Sequence, residues 1–111
     1  MAGEHYVFIE SRDPFDSADT GFVSDTAAAL RQRGAPVTVF FVQNGVLTTR
    51  AAARGSQIPR LTAAGVTVLA DDFSLRERGI DAREMARGVR ATPIDALVDL
   101  ITEPGTKAIW H

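Results

Sequence analysis

The stretch Val66-Thr-Val-Leu-Ala-Asp-Asp-Phe-Ser-Leu-Arg-Glu-Arg-Gly-Ile80 decides how this chain folds and where its chemistry could lie. Its apolar beginning predicts a β-strand over 66–70 that is buried on both faces, as in a parallel sheet. Asp71 follows directly, where the strand stops and a polar turn begins. Because open α/β sheets hold their ligands at the carboxyl ends of their strands, Asp71 is the first candidate for a functional residue.

Strands and helices alternate along the rest of the chain. Continuous apolar runs predict further strands, and apolar residues at helical spacing predict helices. The predicted strands cover residues 6–9, 36–42 and 106–110, and the predicted helices cover residues 21–33, 46–54, 57–64, 82–88 and 92–101. This alternation predicts a single domain over residues 1–111, an α/β three-layer sandwich with a mostly parallel sheet of about five strands, of flavodoxin-like type.

The helix predicted over residues 92–101 is the clearest in the chain. Thr92 suits its N-cap and Pro93 its first turn. Four apolar residues recur at positions i, i+3, i+4 and i+7, which predicts a single buried stripe. They are Ile94, Leu97, Val98 and Ile101.

The composition limits the classes of function. The chain has 111 residues, a net charge of −2 and 7% aromatic residues, which argues against nucleic-acid binding. No apolar run approaches the roughly 20 residues that cross a bilayer, and the N-terminus does not resemble a signal peptide. We therefore expect a cytoplasmic protein that does not enter the membrane. The chain has no cysteine, which excludes disulfides, thiolate metal ligands and thiol nucleophiles.

The sequence indicates neither a cofactor nor a metal. The loop after the first predicted strand, residues 11–21, lacks a Gly-x-Gly pattern and is acidic, which disfavours nucleotide phosphates. The two histidines, His5 and His111, lie at opposite ends of the chain. We therefore do not expect a histidine-based zinc site or a Ser–His pair within one chain.

Acidic and basic residues are unevenly distributed along the sequence. Acids dominate residues 1–25, whereas residues 26–70 contain five arginines and no acid. This segregation could place unlike surfaces on neighbouring subunits of a ring. Alternatively, the charges could mix again in the folded chain.

Polar residues that follow the predicted strands form the candidate site. Asp71 and Asp72 follow the third strand, where a carboxylate could act as a general base, ligate a hard cation or bond to a partner. The other candidates are Ser11, Arg12 and Asp13 after the first strand, Gln43 and Asn44 after the second, and Arg78. Structural interpretations stand beside these: the two aspartates could cap the following turn, and Asn44 could adopt a positive φ. No residue is assigned a catalytic role.

With these elements in place, the sequence resembles the DsrE/DsrF-like family of sulfur-relay proteins over nearly its whole length. The resemblance is to the family's second strand and turn, its third strand, the segment after its active cysteine, and its terminal helix and strand. The stretches that carry it are Phe40-Phe-Val-Gln-Asn-Gly-Val-Leu47, Val66-Thr-Val-Leu-Ala-Asp71, Leu75-Arg-Glu-Arg-Gly-Ile80, Ile94 to Ile101 and Lys107-Ala-Ile-Trp110.

The chain departs from that family at the residue that carries the family's activity. Aligning Arg78-Gly79 with the family's Arg-Gly places Asp71 at the position of the persulfide-carrying cysteine. A carboxylate cannot hold sulfane sulfur as a thiolate does. The resemblance therefore implies a thiol-free paralogue or accessory subunit that assembles as a homo-oligomer, a trimer or hexamer. It also points to a cysteine-bearing family member as a candidate partner.

The alternative is a small-molecule-binding protein, or an enzyme of unassigned reaction, that uses Asp71 and Asp72 at a subunit interface. A scaffold should lack a buried polar pocket around Asp71, whereas a binder or enzyme should have a closed cavity there. A phospho-receiver domain is disfavoured, because it needs an acidic pair after the first strand and a lysine after the fifth. In this chain the pair follows the third strand and Lys107 begins the last strand.

Overall fold

The five strands found in the described part of the chain lie in one sheet and all run in the same direction. A computed structural model of the protein describes residues 4–111. The strands are β1 (His5–Glu10), β2 (Val37–Phe41), β3 (Thr67–Asp71), β4 (Val89–Thr92) and β5 (Thr106–Trp110). Their spatial order is β4-β3-β2-β1-β5, with parallel pairing throughout. The predicted α/β fold with a five-stranded sheet is confirmed.

Helices cover both faces of the sheet. They are α1 (Thr20–Gln32), α2 (Ile58–Ala63), α3 (Asp72–Glu77) and α4 (Ile94–Thr102), with 3₁₀ helices at Gln43–Thr49 and Ala82–Glu84. Because side chains alternate along a strand, β2 sends Val39 and Phe41 into the core beneath α1 and α2. Phe40 points the other way, into a smaller core with Leu97 of α4. Every residue of β2 is buried, as its β-branched and aromatic composition favours.

The order of the strands places β1 between β2 and β5. The chain adds β2, β3 and β4 on one side of β1 and then crosses back to add β5 on the other side. Because all five are parallel, their carboxyl ends lie at one edge of the sheet, which is where α/β sheets of this type hold their ligands. Both neighbours meet β1 in register, and Ile9 lies opposite Phe40 on β2 and Trp110 on β5.

The longest helix among residues 4–111 is α1, with 13 residues. Within this described part of the chain, no helix combines the length and the apolar character needed to cross a lipid bilayer.

Three of the predicted helical boundaries are wrong. The helix predicted over residues 82–88 ends at Glu84, because the backbone becomes extended at Met85. The alanine-rich segment that ends at Arg54 is not helical beyond Thr49, because its backbone pairs with the segment around the second 3₁₀ helix instead. Ala51 N–H donates to Glu84 O at 2.7 Å, and Ala86 N–H donates to Thr49 O at 2.7 Å.

The last helix also differs from its prediction at the start. Thr92 ends the short strand β4, which was not recognised in the sequence, and it does not cap α4. Its hydroxyl donates to Arg90 O at 3.1 Å, while Pro93 occupies the N-cap position. A strand of four residues at the edge of the sheet, with an arginine inside it, has too weak an apolar pattern to be identified.

The predicted buried stripe of α4 is the most consequential error. Only Leu97 is buried, whereas Ile94, Val98 and Ile101 are 45%, 52% and 39% exposed. The helix contacts the sheet chiefly through Leu97 and Leu100, and three of its six apolar residues are exposed. Helical periodicity records that a face is apolar, but it does not record what covers that face.

The segregated charges of the sequence mix in the folded chain. Arg60 on α2 forms an ion pair with Asp25 on α1, so the arginine-rich middle of the chain meets its acidic beginning. Lys107 on β5 likewise lies 3.4 Å from Glu4. Of the two interpretations of the charge pattern, these contacts favour mixing within one chain.

We predict that Gly45→Ala destabilises the fold. A Cβ at Gly45 would overlap the backbone oxygen of Glu10, so the ends of β1 and β2 would have to separate. We expect a loss of about 2 kcal/mol or more in the free energy of unfolding, measured by urea denaturation. Gly21→Ala in α1 is the matched control, because a Cβ there meets no atom within 4 Å. Equal stabilities for the two variants would contradict the prediction.

Candidate functional site

Asp71 ends β3 and caps α3 with one of its two carboxylate oxygens. Asp71 Oδ2 accepts hydrogen bonds from Ser74 N–H at 3.1 Å and from the Ser74 hydroxyl at 2.6 Å. The side chain is the N-cap of α3, which satisfies a backbone donor of its first turn. Asp71 is 6% exposed, and its Oδ1 has no hydrogen-bond partner among residues 4–111. A buried oxygen without a partner is rare in folded proteins.

Ser74 connects this cap to the end of β2. Its hydroxyl accepts a hydrogen bond from Gln43 N–H at 2.8 Å while it donates to Asp71. Gln43 has a φ of 50°, so the left-handed residue of this turn is Gln43 and not Asn44 as the sequence suggested. The hydrogen bond to Ser74 holds the backbone in this strained turn, and the turn directs the 3₁₀ helix toward α3.

Arg78 connects the same two segments at their exposed rim. Its Nε and Nη2 donate to Asn44 Oδ1 at 3.1 and 2.9 Å, and its Nη1 donates to Ser74 O at 3.2 Å. Three donors of the guanidinium are thus engaged within the chain. Asn44 and Arg78 therefore act here as mutual hydrogen-bond partners.

These residues border an open groove of about 660 Å³ on the α4 side of the sheet. We call this the strand-end groove. Its polar lining consists of Ser11, Gln43, Asn44, Asp71, Ser74, Glu77 and Arg78, and its apolar lining of Ile9, Val42, Phe73, Ile94, Leu97, Ile101 and Trp110. Phe73 and Trp110 are 59% and 73% exposed, so two aromatic rings stand at the edge of the groove.

The structure brings together five of the eight residues predicted to form the site. They are Ser11, Gln43, Asn44, Asp71 and Arg78. The other three do not line the groove. Asp72 turns outward and lies 3.6 Å from Arg76, its neighbour one turn later in α3. Arg12 borders a small cavity between the sheet and α1 and α2, and Asp13 is buried in the loop that follows β1.

A second polar cluster, which the sequence did not suggest, joins the two ends of the chain. The Nδ1 of His111 lies 2.9 Å from both carboxylate oxygens of Glu10, and its Nε2 lies 3.1 Å from Asp19 Oδ2. The alignment of the contact with Asp19 does not meet the geometry of a hydrogen bond, and the contact is an ion pair when His111 is protonated. The separation of 101 residues hides this cluster in the sequence, whereas the parallel pairing of β1 with β5 creates it.

The electrostatics of this cluster favour a protonated histidine. Asp19 first, and then Glu10, raise the pKa of His111 above its ordinary value of 6.5. Burial raises the pKa of Glu10 above 4.5, against the opposing effects of Arg12 N–H and His111. The hydroxyl of Ser17, followed by His111, lowers the pKa of Asp19 to about 2.

Comparison with known proteins agrees with this architecture. The model of the DsrE/DsrF-like family matches residues 4–110. The chain belongs to the DsrE/DsrF-like family. Curated protein sequences provide no match to it.

Among residues 4–111, no group of three or more histidine, aspartate or glutamate side chains is arranged to hold a metal ion.

Solved structures similar to this family member share its fold at low sequence identity. The ychN protein from E. coli superposes with a TM-score of 0.87 at 17% identity, over 97% of this chain and 99% of that one. MTH1491, a protein of unknown function from Methanobacterium thermoautotrophicum, gives a TM-score of 0.82 at 22% identity, over 97% and 99%. BT1422, a conserved protein of unknown function from Bacteroides thetaiotaomicron, gives 0.78 at 15% identity, over 97% and 95%.

We predict that Ser74→Ala destabilises the strand-end groove. The change removes the hydroxyl that Asp71 and Gln43 share, and it leaves the Gln43 N–H without its partner. We expect a loss of about 1–3 kcal/mol in the free energy of unfolding, measured by chemical denaturation. Ser24→Ala is the control, because Ser24 is also buried but lies on α1. A cost for Ser74→Ala no larger than the cost for Ser24→Ala would refute this role.

We also predict that stability falls as the pH rises through the range in which His111 titrates. Because its pKa is raised in the folded chain, the stabilisation from His111 is fully present below pH 6.5 and is lost as the pH rises through the raised value. His111→Gln should flatten the dependence of the unfolding free energy on pH above pH 6.5. The slope measured for His5→Gln, which changes the other histidine, is the reference for the substitution itself. A slope unchanged by His111→Gln would contradict this assignment.

Proposed function

We propose that this protein is a cysteine-free, non-catalytic subunit of an intracellular sulfur-transfer system. It acts in the cytoplasm as a homo-oligomer, a trimer or hexamer, beside a cysteine-bearing DsrE-family partner. The observation that supports the proposal most directly is the structural role of Asp71, the residue that aligns with the family's cysteine. One of its oxygens caps α3, so the side chain serves the structure of the strand-end turn.

Sulfur-transfer chemistry supports a non-catalytic role. A persulfide carrier needs a thiolate, which attacks a sulfur atom and then holds it through a sulfur–sulfur bond. The chain contains no cysteine at any position. A carboxylate oxygen is a hard donor and does not form such a bond. In this proposal the chain contributes shape and contacts to the assembly, and its partner supplies the thiol.

The outer surface of α4 supports self-association. Ile94, Val98 and Ile101 form an exposed apolar strip, which we call the α4 strip, and their exposed fractions lie between 39% and 52%. Monomeric proteins rarely expose contiguous apolar surface of this kind, and where they do it commonly marks an interaction site. The α4 strip lies beside Trp110, so the apolar surface continues along the edge of the sheet.

Small-molecule binding is the second candidate function. It is favoured by one observation, the unpartnered Oδ1 of Asp71 at the strand-end groove. The groove is open and not a closed cavity, which fits a site completed at a subunit boundary. Asp71 is the carboxylate that would contact a ligand in the groove, since Asp72 turns toward Arg76.

Native mass spectrometry of the protein isolated from its own host tests the proposal. We expect a trimer or hexamer, together with a companion that carries the family's cysteine. The spectrum reports stoichiometry, companion subunits and any retained small molecule in one measurement. A strict monomer without a companion would overturn the proposed role.

We predict that Val98→Asp dissociates the homo-oligomer without unfolding the chain. Val98 is 52% exposed, so the aspartate stays solvated in the monomer but would be desolvated in an interface formed by the α4 strip. Size-exclusion chromatography with light scattering should show the monomer mass, and circular dichroism should show an unchanged fold. Phe22→Asp on α1 is the matched control, at 61% exposure. If Phe22→Asp dissociates the oligomer and Val98→Asp does not, the α4 strip is not the interface.

A further inference from the structure

The strand-end groove contains a buried acceptor whose hydrogen-bonding capacity is half used. Asp71 is 94% buried, by its exposure of 6%, and its Oδ2 accepts both bonds from Ser74. Its Oδ1 accepts none from the described residues. A buried carboxylate oxygen without a partner is stabilised when it accepts a hydrogen bond, and a charged donor forms the strongest such bond.

The formal charges that line the groove have the sign that attracts a cation. Two carboxylates, Asp71 and Glu77, face one guanidinium, that of Arg78. Arg78 is already engaged by Asn44 and by Ser74 O, so much of its donor capacity is used within the chain. The groove therefore carries a local excess of one negative charge, and an anionic ligand would meet repulsion beside the buried carboxylate.

The rest of the groove suits an apolar body attached to that cation. Ile94, Leu97 and Ile101 form one wall, and Phe73 and Trp110 stand at its edge. Aromatic faces also attract cations, so both rings favour a positively charged ligand. Ligand sites of this kind combine a largely apolar lining with a few polar groups that fix orientation.

We propose that the strand-end groove binds a small organic ammonium ion, with an N⁺–H donating to Asp71 Oδ1 and an aliphatic or aromatic body lying against α4 and Trp110. Oδ1 is covered by the protein. Access to it therefore requires a rotamer change in side chains that line the groove, among which Phe73 and Ile94 are half exposed. The residues that line the groove come from one chain, and two of them, Ile94 and Ile101, also belong to the α4 strip.

The only tryptophan of the chain gives a direct readout of binding. Trp110 lines the groove and is 73% exposed, so a ligand that covers it should change its fluorescence in a saturable way. The probe is hexylammonium chloride, titrated at neutral pH. For a ligand of this size we expect a Kd of roughly millimolar. 1-Hexanol, which lacks the charge, and hexyltrimethylammonium, which lacks the N–H donors, should each bind at least tenfold more weakly.

Asp71→Asn tests the acceptor itself. The asparagine oxygen can still cap α3, but the negative charge is lost, so the affinity for hexylammonium should fall at least tenfold. Asp72→Asn is the matched control, because it removes the same charge from the neighbouring residue outside the groove, and its affinity should match that of the unaltered chain. Circular dichroism checks the fold of both variants. The comparison of hexylammonium with its two analogues needs no variant at all.

Three results would overturn the inference. They are equal affinities for hexylammonium and 1-hexanol, an affinity unchanged by Asp71→Asn, and no binding of hexylammonium to the folded chain. Native mass spectra of the same samples separate this proposal from the proposed function. If the oligomer is intact but binds no amine, only the proposed ammonium site is wrong. If the protein is a monomer that binds the amine, only the proposed assembly is wrong. An oligomer that binds no amine and dissociates upon Asp71→Asn would assign the groove to a second copy of the chain.

Discussion

The hydrogen bonds of the Ser74 hydroxyl are the constraint on which the strand-end groove depends. This one group donates to Asp71 at 2.6 Å and accepts from Gln43 at 2.8 Å, so it joins the carboxyl ends of two neighbouring strands. The bond to Asp71 is buried and the bond from Gln43 is partly buried, so breaking the first would leave a buried polar group unsatisfied. The bonds also place Asn44 within reach of Arg78, which closes the rim of the groove. The shape of the site thus follows from a serine three residues after the aspartate.

The same hydrogen bonds explain why an aspartate, and not a thiol, suits the end of β3. A thiol offers a single, weak acceptor, whereas a carboxylate offers two strong ones. Asp71 uses one oxygen to cap α3 and to hold Ser74, which fixes the turn. Its second oxygen has no partner among the described residues, and Asp71 lines the strand-end groove. At this position an aspartate therefore provides a hydrogen-bond acceptor and no sulfur nucleophile.

The sequence predicted the sheet and most of the polar site because both follow from local patterns. Parallel strands bring their carboxyl ends to one edge, so the residues after β1, β2 and β3 had to be neighbours. That argument does not determine which of these side chains face the groove. Asp72 turns toward Arg76 and therefore does not belong to the site. The edge strand β4 was missed because its pattern is short and polar. His111 was missed because its contact with Glu10 depends on pairing across the whole chain, which no local pattern records.

The exposed α4 strip and the unpartnered oxygen of Asp71 are two consequences of one incomplete layer. Five parallel strands spaced by about 4.8 Å span about 19 Å from the first to the last, whereas one helix is about 10 Å wide. On one face of the sheet α1 and α2 together provide the cover. On the other face α4 is alone and only nine residues long, so the apolar surface continues past its edge and the strand-end groove stays open beside it. Residues 4–111 thus leave this face partly uncovered, and it presents the apolar residues of α4 beside the carboxylate of Asp71.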